Sequence, residues 1–137
     1  MVRELVHDPI LLSRVSESAV KEDWAIAQDL LETLIFHEKG CVGIAANMIG
    51  VYKRIIAFND NGTYQVMLNP QIVKASGEYD TKEGCLSLLG DPRPTKRFQK
   101  IKVQYQTMDM KMRLKTYTGF PAQIIQHEID HCNGILI

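Results

Sequence analysis

Six residues near the end of the chain, Gln126, His127, Glu128, Ile129, Asp130 and His131, combine reactive types with a spacing that lets them act together. On a helix, His127 and His131 stand one turn apart on one face with Glu128 beside them. Two imidazoles can then reach one metal ion while a carboxylate reaches the metal's water, a hydrolase site in outline. A zinc-type catalytic site also needs a third protein ligand and an open position. Beyond His131 only Cys132 could ligate, so the third ligand is expected upstream, among Cys85, Cys41, His37, His7 and Glu83. Cys85 has the strongest local case. In Glu83, Gly84, Cys85, Leu86, Ser87 a thiol sits between an acid and a hydroxyl, behind a glycine that frees the backbone. The other reading of Cys85 is a small buried hydrophobe, the commonest fate of a free cysteine. Two histidines, a thiolate and an open position form an accepted catalytic set.

These side chains need a helix under the histidines and a scaffold that brings residue 85 to it. Thr118 is a plausible N-cap, Pro121 falls in the first turn and Gly134 lies past the end. Ile124 shares the face of the histidines and Ile125 flanks it; imidazoles and a carboxylate on a buried face are costly unless they bind something. A second helix is predicted from Lys21 to Glu38, with Trp24, Ala27, Leu31, Leu34 and Ile35 as its core stripe and Gly40 as a left-handed cap. His37 in its last turn suits the helix dipole, and His7 suits a surface or capping role. Between the helices, Arg54 to Phe58 and Tyr64 to Leu68 read as strands joined by Asn61 and Gly62, with Asn69 and Pro70 as a stop and Gln71 to Ala75 as a further short strand. Ile101, Val103 and Tyr105 alternate with polar residues, and Met112 and Leu114 answer them across a turn at Asp109 and Met110. Cys41 to Gly50 is small, apolar and glycine-bearing. It is either backbone brought close to something, with Gly43 permitting the approach, or a tightly packed buried turn. It lacks the Lys and Ser/Thr of a phosphate loop.

At 137 residues the chain fits one domain, residues 1–137, with one core and one site. Hydrophobic residues at 45% and charged residues at 23% are ordinary for a globular protein and exclude long disorder and fibrous classes. No apolar run reaches the length of a membrane span and the start has no signal-peptide core, so a cytoplasmic protein with no membrane partner is expected. Lys plus Arg and Asp plus Glu are both 16, which removes any global argument for nucleic acid. The local excess Arg93, Lys96, Arg97, Lys100, Lys102 reads as a solvated strand face. Three cysteines without a secretory signal favour thiol or metal chemistry over disulfides.

The residues resemble the peptide deformylase family. That family carries a GφGφAAxQ segment (φ apolar), an EGCLS segment and QHExDH on a helix. Glu83 to Ser87 matches the second and Gln126 to His131 the third at every position, and the likeness spans nearly the whole chain. It implies an α+β fold of short antiparallel β-sheets around a central helix carrying the two histidines, with an N-terminal helix packed on the core. It further implies that Cys85, His127 and His131 hold one divalent metal ion and that Glu128 is the acid/base. Ferrous iron is the family's usual metal, with zinc, nickel or cobalt as substitutes, and borderline ligands favour zinc in a purified sample unless iron is protected. The implied reaction removes the formyl group from the formyl-methionine of nascent polypeptides. Glu128 takes a proton from the attacking water and returns it to the leaving amine. The backbone N–H of Leu86 and the side chain of the signature Gln are the implied oxyanion donors. Ser87 and Asp130 look like supports behind the ligands. Val42, Gly43, Ile44, Ile124 and Ile125 are candidates for the methionine pocket, with core packing as the alternative for the four larger ones.

The first signature is broken twice: Cys41 stands at its first Gly and Met48 at its Gln. A thioether has no N–H to give. Loss of one oxyanion donor costs on the order of 10² to 10³ in kcat, so reduced turnover is expected, with Asn47 a poorly placed substitute. Family members usually continue past the motif helix, whereas this sequence stops at Ile137. That puts ribosome docking through such a segment in doubt and leaves the basic residues 93–102 as a weak substitute; a monomer is expected. The alternative is a non-catalytic or altered-substrate paralogue that binds metal and formylated peptides or inhibitors. A small metallopeptidase fits less well, because such enzymes usually take their third ligand downstream of the helix.

Overall fold

The computed structural model describes residues 1–88 and 90–137. Its strands are β1 (Gly43–Ala45), β2 (Ile55–Asp60), β3 (Thr63–Glu83), β4 (Arg93–Gln106) and β5 (Met112–Thr118), paired in that order in one antiparallel sheet. The helices are α1 (Pro9–Leu12), α2 (Trp24–Phe36) and α3 (Gly119–Cys132). The α+β class therefore holds, with a single five-stranded sheet in place of several short ones. Ile55, Ile56, Ala57 and Phe58 are all fully buried. Successive residues of a strand face opposite ways, so β2 is covered on both faces, and both α2 and α3 pack against it.

The β2–β3 hairpin turns at Asn61 (φ 51°) and Gly62 (φ 101°), the two positive dihedrals that a two-residue hairpin requires. The expected stop at Asn69 and Pro70 does not occur. Asn69 adopts φ 52° in an irregularity of the ladder, and Pro70 is tolerated there because a bulge asks for no donor. The Asn69 side chain pins the bulge, accepting from Ala19 N (2.7 Å) and donating to Ala19 O (3.0 Å) and Gln106 Oε1 (2.7 Å). The strand then runs on to Glu83, and its far half pairs with the start of β4 as a long arm. That arm brings Glu83 and the loop bearing Cys85 to α3.

Two other expectations are corrected in α2. Trp24, expected in the core, is 58% exposed. A 3₁₀ turn over Lys21–Asp23 precedes the helix and turns Asp23 inward, where Oδ2 accepts from Val20 N at 2.8 Å. The buried stripe is Ala27, Leu30 and Leu34, with Leu31 half-buried and Ile35 exposed. Nor is Gly40 a left-handed cap: the helix ends at Phe36 with His37 as its C-cap, and Gly40 is not among the positive-φ glycines. α3 matches its predicted limits, from Thr118 in extended backbone to Gly134 at φ 73°.

Candidate active site

α3 buries the face that carries the reactive side chains: His131 is fully buried, Glu128 4% exposed and His127 8% exposed. His127 Nε2 and His131 Nε2 face each other at 2.9 Å. Two imidazole lone pairs cannot meet at that distance unless a proton or a cation lies between them. Cys85 completes the group, the three ligand atoms lying within 4.8 Å of one another. Cys85, His127 and Glu128 line a cleft of about 240 Å³, so the group has an open side. Converging donors, a thiol and an open side together fit a catalytic metal site.

The ring orientation of His127 is set from behind. Its Nδ1 donates to the Glu83 carboxylate at 2.8 Å, which leaves Nε2 as the ligating atom. Glu83 also receives Arg97 Nη2 (2.7 Å) and Gln123 Nε2 (2.8 Å), and Arg97 Nη1 donates to Asp130 Oδ2 (2.7 Å). Burial alone would raise the Glu83 pKa, but the hydrogen bonds from His127, Arg97 and Gln123 prevail and hold it at about 2. Arg97 is thus 4% exposed and no part of a solvated face, whereas Lys96, Lys100 and Lys102 are exposed as expected. Asp130 is a support through Arg97. Ser87 is fully buried, and His7 Nδ1 holds its carbonyl at 2.8 Å.

Burial pushes Glu128 up to about 7, the range in which a carboxyl group both takes and returns a proton near neutral pH. Its Oε1 is buried and has no protein partner. Gly43 explains how the carboxylate fits: a Cβ there would meet Ile124 Cγ2 at 2.6 Å and Glu128 Oε2 at 2.8 Å. The Cys41–Gly50 segment is therefore backbone brought close to the catalytic face, and also the buried edge strand β1.

Val42, Gly43, Ile124 and Leu86 are on the cleft wall. Ile44 and Ile125 are not: both are fully buried in the hydrophobic core, because alternation along β1 and the turn of α3 point them away from the opening. Phe120, Gln123 and Lys82 line the cleft without having been expected there. Only the position of Phe120 and Gln123 one turn ahead of Ile124 and His127 hinted at it. Met48 lies 1% exposed in a 3₁₀ turn (Ala46–Ile49), where its Sδ accepts from Ala45 N at 3.4 Å, and it does not line the cleft. Asn47 does not replace the missing amide: its Nδ2 donates to His131 O (2.9 Å) and Leu12 O (3.2 Å).

An antiparallel sheet wrapped against one helix, with a Cys/His/His donor set and a buried carboxylate at an open cleft, defines a metal-dependent hydrolase. The family model described as Polypeptide deformylase matches residues 4–137. A peptide deformylase of Clostridium beijerinckii is 44% identical over 137 residues, covering all of both chains. Another from Dictyoglomus thermophilum is 37% identical over all of this chain and 91% of its own. Among solved structures, a Met-Ala-Ser-bound class I type b peptide deformylase from Acinetobacter baumannii superposes with TM-score 0.88 at 29% identity, covering 99% of this chain and 97% of that one. The Thermotoga maritima peptide deformylase gives 0.87 at 26%, over 99% and 95%. The chain belongs to the polypeptide deformylase family and is a metal-dependent enzyme of that type. These matches do not favour the non-catalytic paralogue. Among the described residues, no helix is long and apolar enough to cross a membrane.

Proposed function

We propose that this enzyme removes the formyl group from N-formyl-methionine on nascent polypeptides, at Cys85, His127 and His131, with a turnover held down by Met48. The observation that carries the site is the convergence of the two Nε2 atoms at 2.9 Å beside the Cys85 thiol, on a cleft that also exposes Glu128. The metal ion, ferrous iron by family likeness with zinc, nickel or cobalt as substitutes, supplies Lewis acidity and a water of lowered pKa.

The residues of the chain do the rest. Glu128, raised to about 7 by burial, takes a proton from the attacking water as the new C–O bond forms at the formyl carbon. When the C–N bond breaks, Glu128 gives that proton to the amine nitrogen, and formate and a free N-terminus leave. The backbone N–H of Leu86, on the cleft wall, stabilises the oxyanion. Val42 and Ile124 offer apolar wall to the methionine side chain. Met48 contributes no donor, since its sulfur is itself an acceptor for Ala45. One absent donor lowers kcat by about 10² to 10³. Formylated Met-Ala-Ser is the natural probe. Anaerobically purified, iron-loaded protein is expected to release formate from it slowly, and absence of formate at any metal loading overturns the reading.

A further inference from the structure

The cleft has a floor and a mouth. Buried Gly43, Ile124, His127 and Glu128 form the floor, and exposed Val42, Phe120 and Lys82 stand at the mouth. Charge on the floor is already engaged in the site. Glu83 is tied by Arg97, Gln123 and His127, and Glu128 is buried against Gly43. The mouth differs, because Lys82 is the one Lys or Arg among the described lining residues. Its partner across the ladder is Pro94, which carries no charge. The neighbouring ion pair joins Lys96 to Glu78 and leaves Lys82 out. An ammonium with no ion pair among the described residues, at the exposed rim of the cleft with Val42 and Phe120, is suited to recognise a carboxylate.

We propose that Lys82 is a specificity residue that favours formylated peptides with an acidic side chain at the second or third position. The inference rests on the deformylase reading and adds the class of peptide preferred. Phe120 covers apolar parts of the downstream residues, and Lys82 pairs with the carboxylate. Because the ammonium is exposed, the gain is modest, roughly two- to five-fold in kcat/KM, and is screened by salt. The contact is the same in the ground and transition states, so it acts on KM and leaves kcat alone.

The test compares metal-loaded protein on formyl-Met-Glu-Glu-amide and formyl-Met-Lys-Lys-amide at low and high salt, with formyl-Met-Ala-Ala-amide as a neutral reference. The expected result is a lower KM for the acidic peptide, a ratio that collapses at high salt, inversion of the order in Lys82→Glu and its retention in Lys82→Arg. Equal KM for the charged peptides, or a preference that Lys82→Glu leaves intact, overturns the proposal while the deformylase reading stands. No formate from any of the three peptides overturns both.

Discussion

Behind His127, charged side chains are locked to one another; the Cys41–Gly50 segment has no charged side chain to do the same. On the α3 and β3 side, one guanidinium spans two carboxylates, and Glu83 alone receives three side chains. On the Cys41–Gly50 side, the only amide side chain is Asn47, spent on the carbonyls of Leu12 and His131, and the residue that stands where the family signature has Gln is a thioether facing a backbone N–H. The contrast teaches that holding a metal and placing a base are separable from stabilising the charge that develops on the substrate. Under the proposed function, this chain keeps the first two and alters the third.

Substitutions on the locked side break the comparison most sharply. Glu128→Gln is expected to cut kcat by about 10² to 10⁴ while metal content stays at one ion per chain, a split between turnover and metal analysis. Arg97→Ala leaves the buried Glu83 and the half-buried Asp130 without their shared cation, so a loss of about 3 to 5 kcal/mol in denaturant unfolding is expected; a loss below about 1 kcal/mol would show that the network is dispensable. Gly43→Ala sharpens the boundary between the two sides. Its Cβ needs space held by Ile124 and Glu128, and about 1 to 3 kcal/mol of overpacking should be accompanied by lower kcat with metal retained. The smallest effect is with pH. Glu83 is depressed from 4.5 to about 2 on folding, so its contribution to stability is complete above pH 4.5 and is lost as pH falls towards 2. Glu83→Gln should flatten the fall in stability across that window, and an unchanged slope would contradict the assignment.

Much of the locked side is legible in the sequence because it is local. His127, Glu128 and His131 are fixed relative to one another by helical spacing alone, and the turn at Asn61 and Gly62 by its backbone requirement. What escapes is what depends on pairing over distance. Arg97 reads as one of several basic residues until the β3–β4 ladder sets it beside Glu83, and Asn69 reads as a stop until Ala19 and Gln106 give its side chain partners. Trp24 fits a helical stripe, but the preceding 3₁₀ turn shifts which face is buried. Ile44 and Ile125 are apolar neighbours of site residues, and only the direction of each Cβ separates wall from core.

Met48 is the residue on which the reduced turnover depends. Wild-type and Met48→Gln proteins, both iron-loaded and assayed side by side on formyl-Met-Ala-Ser, should differ in kcat by about 10² to 10³ in favour of the glutamine variant, with equal metal content. A Met48→Gln rate equal to or below that of the wild type, with metal still bound, would contradict the claim that an oxyanion donor is what this chain lacks.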